Sequence, residues 1–191
     1  ALQYFLGSFA DDGACMEGLG YFTYGMTYFV GFAQQLFAYT GGKVDLLAQE
    51  KCAKMAEFQQ KCYFASGRTL SFSDGNSRDH FRMGLTAYLA MRFPNVTVPN
   101  MERAGGFHRD SCYRFMGIYR DIVWTEQFLE KLESGEMEDR DSSVQMGQIV
   151  LPMAQWSMGN GAHATAMACK GGNNDEPHNH NDVGSFLFIK G

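Results

Sequence analysis

No stretch of this 191-residue chain is apolar for long enough to cross a bilayer as a helix. No signal-peptide pattern is visible either. That says nothing of location, because the chain starts at Ala1 rather than Met and stops at Gly191 just as a strand finishes. We expect a fragment of a longer protein. Positive charge is in deficit: 16 Lys and Arg against 21 Asp and Glu leave a net charge of −5. A general nucleic-acid binder favours a basic surface, so that class is disfavoured; a local basic pocket for an acidic ligand is not. The five cysteines (15, 52, 62, 112 and 169) form no C-x-x-C pair and are odd in number. A disulfide framework or zinc knuckle is therefore not expected, and buried free thiols are. G-x-S-x-G, the P-loop, G-x-G-x-x-G and H-E-x-x-H are all missing, so serine hydrolysis and nucleotide chemistry lose their simplest support.

Aromatic residues and glycine are abundant: sixteen Phe, nine Tyr and 22 Gly. That mix suits a site for flat polar ligands such as sugar rings, and equally a packed core. The densest chemistry stands near the end, in Lys170-Gly171-Gly172-Asn173-Asn174-Asp175-Glu176-Pro177-His178-Asn179-His180-Asn181-Asp182-Val183-Gly184-Ser185-Phe186. Two of the five histidines lie there one residue apart, and an apolar run follows. Every polar atom in such a segment needs a partner, and its glycines lose entropy on ordering. We expect the lip of an active site where a loop enters a strand.

The periodicity predicts helices first and strands after. Ala1 to Ala10 reads as the tail of a helix, broken by Asp11-Asp12-Gly13, and Ala14 to Gly25 as a glycine-punctuated turn. Met26 to Tyr39 is apolar almost all round, which predicts a helix buried on most sides, ended by Gly41-Gly42. Asp45 caps a helix from Leu46 to about Phe64, and Ser77 or Asp79 opens another reaching Met91. Pro94 and Pro99 mark a connection. Asp110 caps a further helix with Cys112, Phe115, Met116, Tyr119, Val123 and Gln127 on one face. Glu130 to Ser143 is charged and reads as a solvated linker. Four short runs after it (148–152, 154–158, 162–169 and 184–190) predict antiparallel strands. The expected fold is α+β, with residues 1–140 helical and residues 141–191 beginning an antiparallel sheet domain.

In an extended segment, the H-x-H spacing puts the rings of His178 and His180 on one side, as two ligands of one metal. A bend at Pro177 or Asn179 would give them separate tasks. A zinc site needs three or four protein ligands, so others would have to join them. Glu17, Tyr21 and Tyr24 form a second group. A tyrosine serves as general acid or base when nearby cations lower its phenol pKa, although aromatics at helical spacing are usually core. His108 and Arg109, on the loop after Gly105-Gly106, and His80 are further candidates. Arg68, Arg78, Arg103, Arg109 and Lys170 are candidate oxyanion contacts.

Two stretches together resemble the heparinase II/III-like polysaccharide lyases. The run from Lys170 through His178-Asn179-His180-Asn181-Asp182 to Phe186 is similar to the start of their β-sandwich. Asp12-Gly13-Ala14-Cys15-Met16-Glu17-Gly18, followed by Tyr21-Phe22-Thr23-Tyr24-Gly25, is similar to the catalytic turn of their helical toroid, and Gln155-Trp156 fits the strand that opens the sandwich. The resemblance implies part of an incomplete (α/α) toroid followed by β-sandwich strands. It implies β-elimination on a uronate-containing polysaccharide, such as a heparan-like or alginate-like polymer. Tyr21 then matches the catalytic tyrosine, with Tyr24 as its alternative. His178 matches the catalytic histidine, and His180 a ligand of a structural zinc whose other ligands fall after Gly191. Glu17 positions substrate or tyrosine, and Arg109, His108 and Asn179 contact substrate. The expected partner is an acidic polysaccharide or oligosaccharide, with no nucleic acid and no membrane, in a periplasmic or secreted setting. Two other readings stand beside this one: a non-catalytic carbohydrate-binding remnant of the fold, and a metal-dependent hydrolase using His178, His180 and Asp182.

Overall fold

The computed structural model describes residues 1–64, 67–98, 104–106, 114–138, 148–149, 153–158 and 165–190. Among them the chain is mixed α+β, with helices preceding strands. Helix α1 is Leu2–Gly7 and α2 is Leu19–Tyr39. A 3₁₀ turn at Leu46–Ala48 leads into α3 (Glu50–Ala56) and α4 (Phe58–Lys61). Helices α5 (Met83–Arg92) and α6 (Phe115–Glu133) follow. Strands β1 (Gln148–Ile149), β2 (Met153–Met158), β3 (Thr165–Lys170) and β4 (Phe186–Lys190) form an antiparallel meander in the order β1-β2-β3-β4. No described helix is long and apolar enough to cross a membrane.

Helix α2 is the spine of the helical part. Leu19, Phe22, Met26, Phe29, Val30 and Ala33 face inward at helical spacing. Phe22 meets Phe58 of α4 with ring centroids 5.4 Å apart. The expected burial on most sides does not hold, because Tyr28, Phe32 and Tyr39 of α2 are exposed. Helix α5 is buried along most of its length and crosses α6 at Gly84. A β-carbon there would lie 2.3 Å from Asp121 Cα and 2.9 Å from the Arg120 carbonyl oxygen, so only glycine lets the backbones approach. Beside this crossing, Arg82 binds Asp121 through Nε (2.8 Å) and Nη2 (2.6 Å). Trp124 packs on Tyr88 and donates its indole N–H to Gln34 on α2.

Several expected boundaries shift, each for a local reason. Asp45 does cap, its carboxylate accepting from the Leu47 amide. The helix it opens is interrupted, because Gln49 is extended (φ −70°, ψ 135°). Helix α5 begins at Met83 rather than at Ser77 or Asp79. Asp79 accepts from the Asn76 amide and closes a turn, and Phe81 then bridges to Ala104. On α6 the expected face is mostly the outer one: Phe115, Met116 and Tyr119 are exposed, Val123 alone packs on the core, and Cys112 lies outside the described residues. The inner stripe is Gly117, Asp121, Trp124 and Phe128. Leu132 and Met137 continue that stripe onto the core, so the first part of the expected linker is helix and packed chain. The domain boundary at 140/141, the Asp110 cap and residues 162–164 lie outside the described residues. Strand β4 starts at Phe186, two residues late, because the Gly184 and Ser185 amides close a turn onto Lys170 and Asp182.

Strand β3 alternates with period two: Ala166, Ala168 and Lys170 are buried. Its pairing with β4 sets Ala166 opposite Ile189 and Ala168 opposite Leu187, so one face of the sheet packs on the helical core. Cys15, Cys52 and Cys62 are buried free thiols as expected. Burial pushes the Cys15 thiol up to about 12, which keeps it protonated and unreactive.

Gly84→Ala forces α5 and α6 apart. We expect a loss on the order of 1–3 kcal/mol of stability, as overpacked core positions show. Thermal unfolding by calorimetry measures it; an unchanged melting temperature would contradict the close crossing.

Candidate active site

The alternation that buries Ala166 and Ala168 also turns Lys170 inward at the end of β3. Its side chain is only 1 % exposed. A buried ammonium is tolerated only when paired and hydrogen-bonded. Lys170 Nζ lies 2.7 Å from Asp182 Oδ1 and 2.9 Å from Ser73 Oγ, and it forms an ion pair with the buried Glu176 at 3.3 Å. Asp182 Oδ2 in turn accepts from the Ser73 amide, and Ser73 Oγ donates to the Met16 carbonyl oxygen at 3.0 Å. One cation thus ties the β3–β4 loop to the turn at Ser73 and, through it, to the entry of α2. Partial burial pushes the Asp182 carboxyl up. The Lys170 hydrogen bond, the Ser73 amide and the Lys170 charge outweigh it and hold Asp182 below its ordinary 3.8. Lys170 was expected among the oxyanion contacts; its place in this buried network excludes that use.

Gly18 caps α2 with φ 95°, and a β-carbon there would come within 3.2 Å of the Gly75 amide nitrogen. Only glycine permits both the conformation and this close approach. The turn at residues 73–75 therefore nests against residues 16–18. Helix α2 begins directly after, so Tyr21 and Tyr24 lie in its first turns rather than in an irregular turn. Tyr21 reaches the β3–β4 loop. Its ring stacks on His178 with centroids 4.1 Å apart and planes 29° apart.

Asp74 completes the cluster and was not singled out in the sequence. Its Oδ2 lies 2.8 Å from His178 Nδ1 and its Oδ1 lies 2.6 Å from His180 Nε2. Glu17 stands 3.8 Å from His178 Nε2. His178 has φ 54°, so the H-x-H segment is bent rather than extended. The two rings nevertheless meet one carboxylate through its separate oxygens. The only signal for Asp74 was an acid in a loop, at Ser73-Asp74-Gly75, which many surface turns share.

Four of the expected residues are therefore brought together: Tyr21, His178 and Glu17, with His180 alongside. Tyr24 is not in contact with them in the same way. Its ring lies under Arg114 (4.7 Å from Cζ to the centroid) and against Tyr28. Asn179 turns its amide N–H groups back into the loop, toward Asn173 O and Asn174 Oδ1, each at 3.4 Å. His108 and Arg109 lie outside the described residues, as does Arg103. Asp182 is directed to Lys170 and Ser73, so it does not join the two histidines as a third ligand. Among the described residues no three His, Cys, Asp or Glu side chains converge on a metal position. His180 and Asp74 alone fall short of the three or four ligands of a zinc site.

Compared with known proteins, the chain matches no family model and no curated sequence.

Lys170→Met leaves the Glu176 and Asp182 carboxylates without their cation, and we expect a loss of about 3–5 kcal/mol in chemical denaturation. Asp182 contributes to the acid dependence. With its folded pKa depressed, its contribution is complete above about pH 4 and is lost as the pH falls through the lower folded value. Asp182→Asn should flatten that part of the stability-against-pH curve; a curve as steep as in the wild type would count against the ion pair. Asp74→Ala releases both rings, so the His178 and His180 side-chain resonances should move together in NMR spectra. Movement of only one would contradict the shared carboxylate.

Proposed function

We propose that the protein is a polysaccharide lyase of the heparinase II/III-like kind, cleaving a uronate-containing polymer by β-elimination. The described helices and the antiparallel meander are material for part of an incomplete (α/α) toroid followed by β-sandwich strands. The observation that carries the reading is the stacking of Tyr21 on His178. It joins an acid–base phenol from a helix to an imidazole from a strand loop, at an exposed seam.

Elimination removes the proton from C5 of the uronate, forms the C4–C5 double bond and breaks the bond from C4 to the glycosidic oxygen, which takes up a proton. No water enters. The uronate carboxylate must be neutralised first, because the C5 proton is otherwise too weakly acidic. Asp74 Oδ2 lies 2.8 Å from His178 Nδ1, and a carboxylate there favours the proton on Nδ1, which leaves the lone pair on Nε2 for a base. His178 is therefore assigned the C5 proton, and the Tyr21 hydroxyl, stacked beside it, protonates the leaving oxygen. Both side chains remain partly open, Tyr21 at 37 % and His178 at 41 %, so a polymer can reach them. Glu17 stands 3.8 Å from Nε2 and would steady the imidazolium once His178 has taken up the proton. No step is assigned to zinc. The metal-dependent hydrolase reading loses its third ligand with Asp182. The setting we propose is periplasmic or secreted, and the partner an acidic polysaccharide.

The test is ultraviolet absorbance over a panel of uronate polysaccharides, since the new double bond is conjugated with the carboxylate. Wild type should show a rise that Tyr21→Phe and His178→Ala each reduce by at least about 100-fold, the usual scale of a lost general acid or base. A flat trace across the panel, or full activity in either variant, would sink the proposal.

A further inference from the structure

Helix α2 has a second face that the described residues leave open. Tyr28, Phe32, Gln35 and Tyr39 stand at i, i+4, i+7 and i+11, which is one helical stripe. All four are exposed, Phe32 at 54 % and Tyr39 at 91 %. Single exposed aromatics are ordinary; a continuous stripe of them marks an interaction site. Beside the stripe runs a groove of about 560 Å³ between α1 and α2, walled by Leu2, Phe5, Tyr28 and Phe32. Gly25 leaves room for it: a β-carbon there would crowd the Phe5 ring at 2.8 Å, and Phe5 instead lies against Phe29 with centroids 5.1 Å apart. Small-molecule sites carry convergent polar groups. This groove is lined almost wholly by apolar side chains, which suits an aromatic ring from another chain. Neither α1 nor α2 contains an Asp, Glu, Lys, Arg or His, in a chain that is 19 % charged. A charged partner would leave its charges unanswered here, whereas a second α2 meets no repulsion from this helix. Arg120 of α6 bounds the face on one side, where it lies on Gly31.

We propose that this face pairs with the same face of a second copy of the chain, α2 antiparallel to α2, each Tyr39 ring entering the other copy's groove. A two-fold pair needs a surface that fits itself, and here the most exposed ring and the hole for it lie on one stripe. Tyr39 is about 16 Å along the helix from Tyr28. A two-fold axis midway, near Phe32, therefore brings each Tyr39 over the partner's groove. At about 150–250 Å² per aromatic side chain, the open parts of Tyr24, Tyr28, Phe32 and Tyr39 amount to roughly 500 Å² per copy. Pairing then hides about 1,000 Å², the area that a specific interface needs, and Leu2 and Gln35 add to it. Tyr21 lies a further 10 Å or about two turns beyond Tyr28, past the partner's helix end, so the pairing is independent of the lyase reading.

The test is sedimentation velocity on the full chain from about 1 to 100 μM, the range in which an interface of this modest size associates. Wild type should pass from monomer to dimer. Phe32→Glu and Tyr39→Glu should each weaken the dimer at least tenfold, since a two-fold pair loses each ring twice. Both positions are open in the single chain, so circular dichroism should stay unchanged; if Phe32→Glu unfolds, Tyr39→Glu alone carries the test. Tyr119→Glu, on the exposed side of α6, should leave the dimer intact. Because Phe32 stands by the axis, mixing Phe32→Glu with Phe32→Lys should restore a pair that neither forms alone. A monomer throughout the range overturns the proposal and leaves the face to a different chain. A dimer indifferent to Phe32→Glu and Tyr39→Glu, one broken by Tyr119→Glu instead, or no recovery in the mixture, overturns it as well.

Discussion

The buried ammonium of Lys170 is the constraint on which the rest of the site depends. A strand that alternates with period two must send its last residue inward if Ala166 and Ala168 already face the core. An inward lysine is costly unless it finds anions and acceptors. Here the partners come from two places, Asp182 and Glu176 from its own loop and Ser73 from the helical part. The requirement to pair one charge therefore becomes a requirement to dock a sheet on a helix layer in one register. Moving β3 by one residue would turn Lys170 to solvent, unpair the two acids and expose the alanines.

Docking in that register is what sets Tyr21 against His178. Ser73 is fixed from one side by Lys170 and Asp182 and from the other by the Met16 carbonyl. Asp74, the next residue, is carried to the histidines, and Gly18 allows the turn to come close enough for α2 to start beneath it. Ser73 and Asp182, which help satisfy the buried charge, thus also deliver a carboxylate to both imidazoles. Packing energy and site geometry are here consequences of the same contacts.

Much of this was legible as composition and order. The helices-then-strands arrangement followed from the change of period near residue 148, and the density of polar groups from Lys170 to Asp182 marked the loop. Tyr21, Glu17 and His178 stood out as acid–base types, and they do converge. Three things were not legible. Which face of α6 is inner depended on Asp121 being paired with Arg82, just ahead of α5, so an apparently polar stripe proved to be the buried one. Lys170 looked like an oxyanion contact because a sequence does not show that a strand's alternation will bury it. Asp74 was missed because its significance lies wholly in what faces it, more than 100 residues along the chain.

Backbone conformation points the same way. The non-glycine residues with positive φ among the described residues are Ser73, His178 and Asn181, and all three lie at this one seam. Each such conformation costs on the order of 1 kcal/mol and persists only where surrounding bonds over-determine it. For Ser73 those bonds run to Asp182, Lys170 and Met16; for His178 to Asp74; for Asn181 to the Asn179 side chain. Neither layer would hold these conformations alone, since each is fixed chiefly by partners across the seam or within the loop that the seam anchors. The left-handed turn at His178 is also what lets its ring lie flat on Tyr21 while Nδ1 stays on Asp74. The Tyr21–His178 contact is therefore a property of the docked layers, and a change that loosens Lys170 should disturb that stacking without touching either residue.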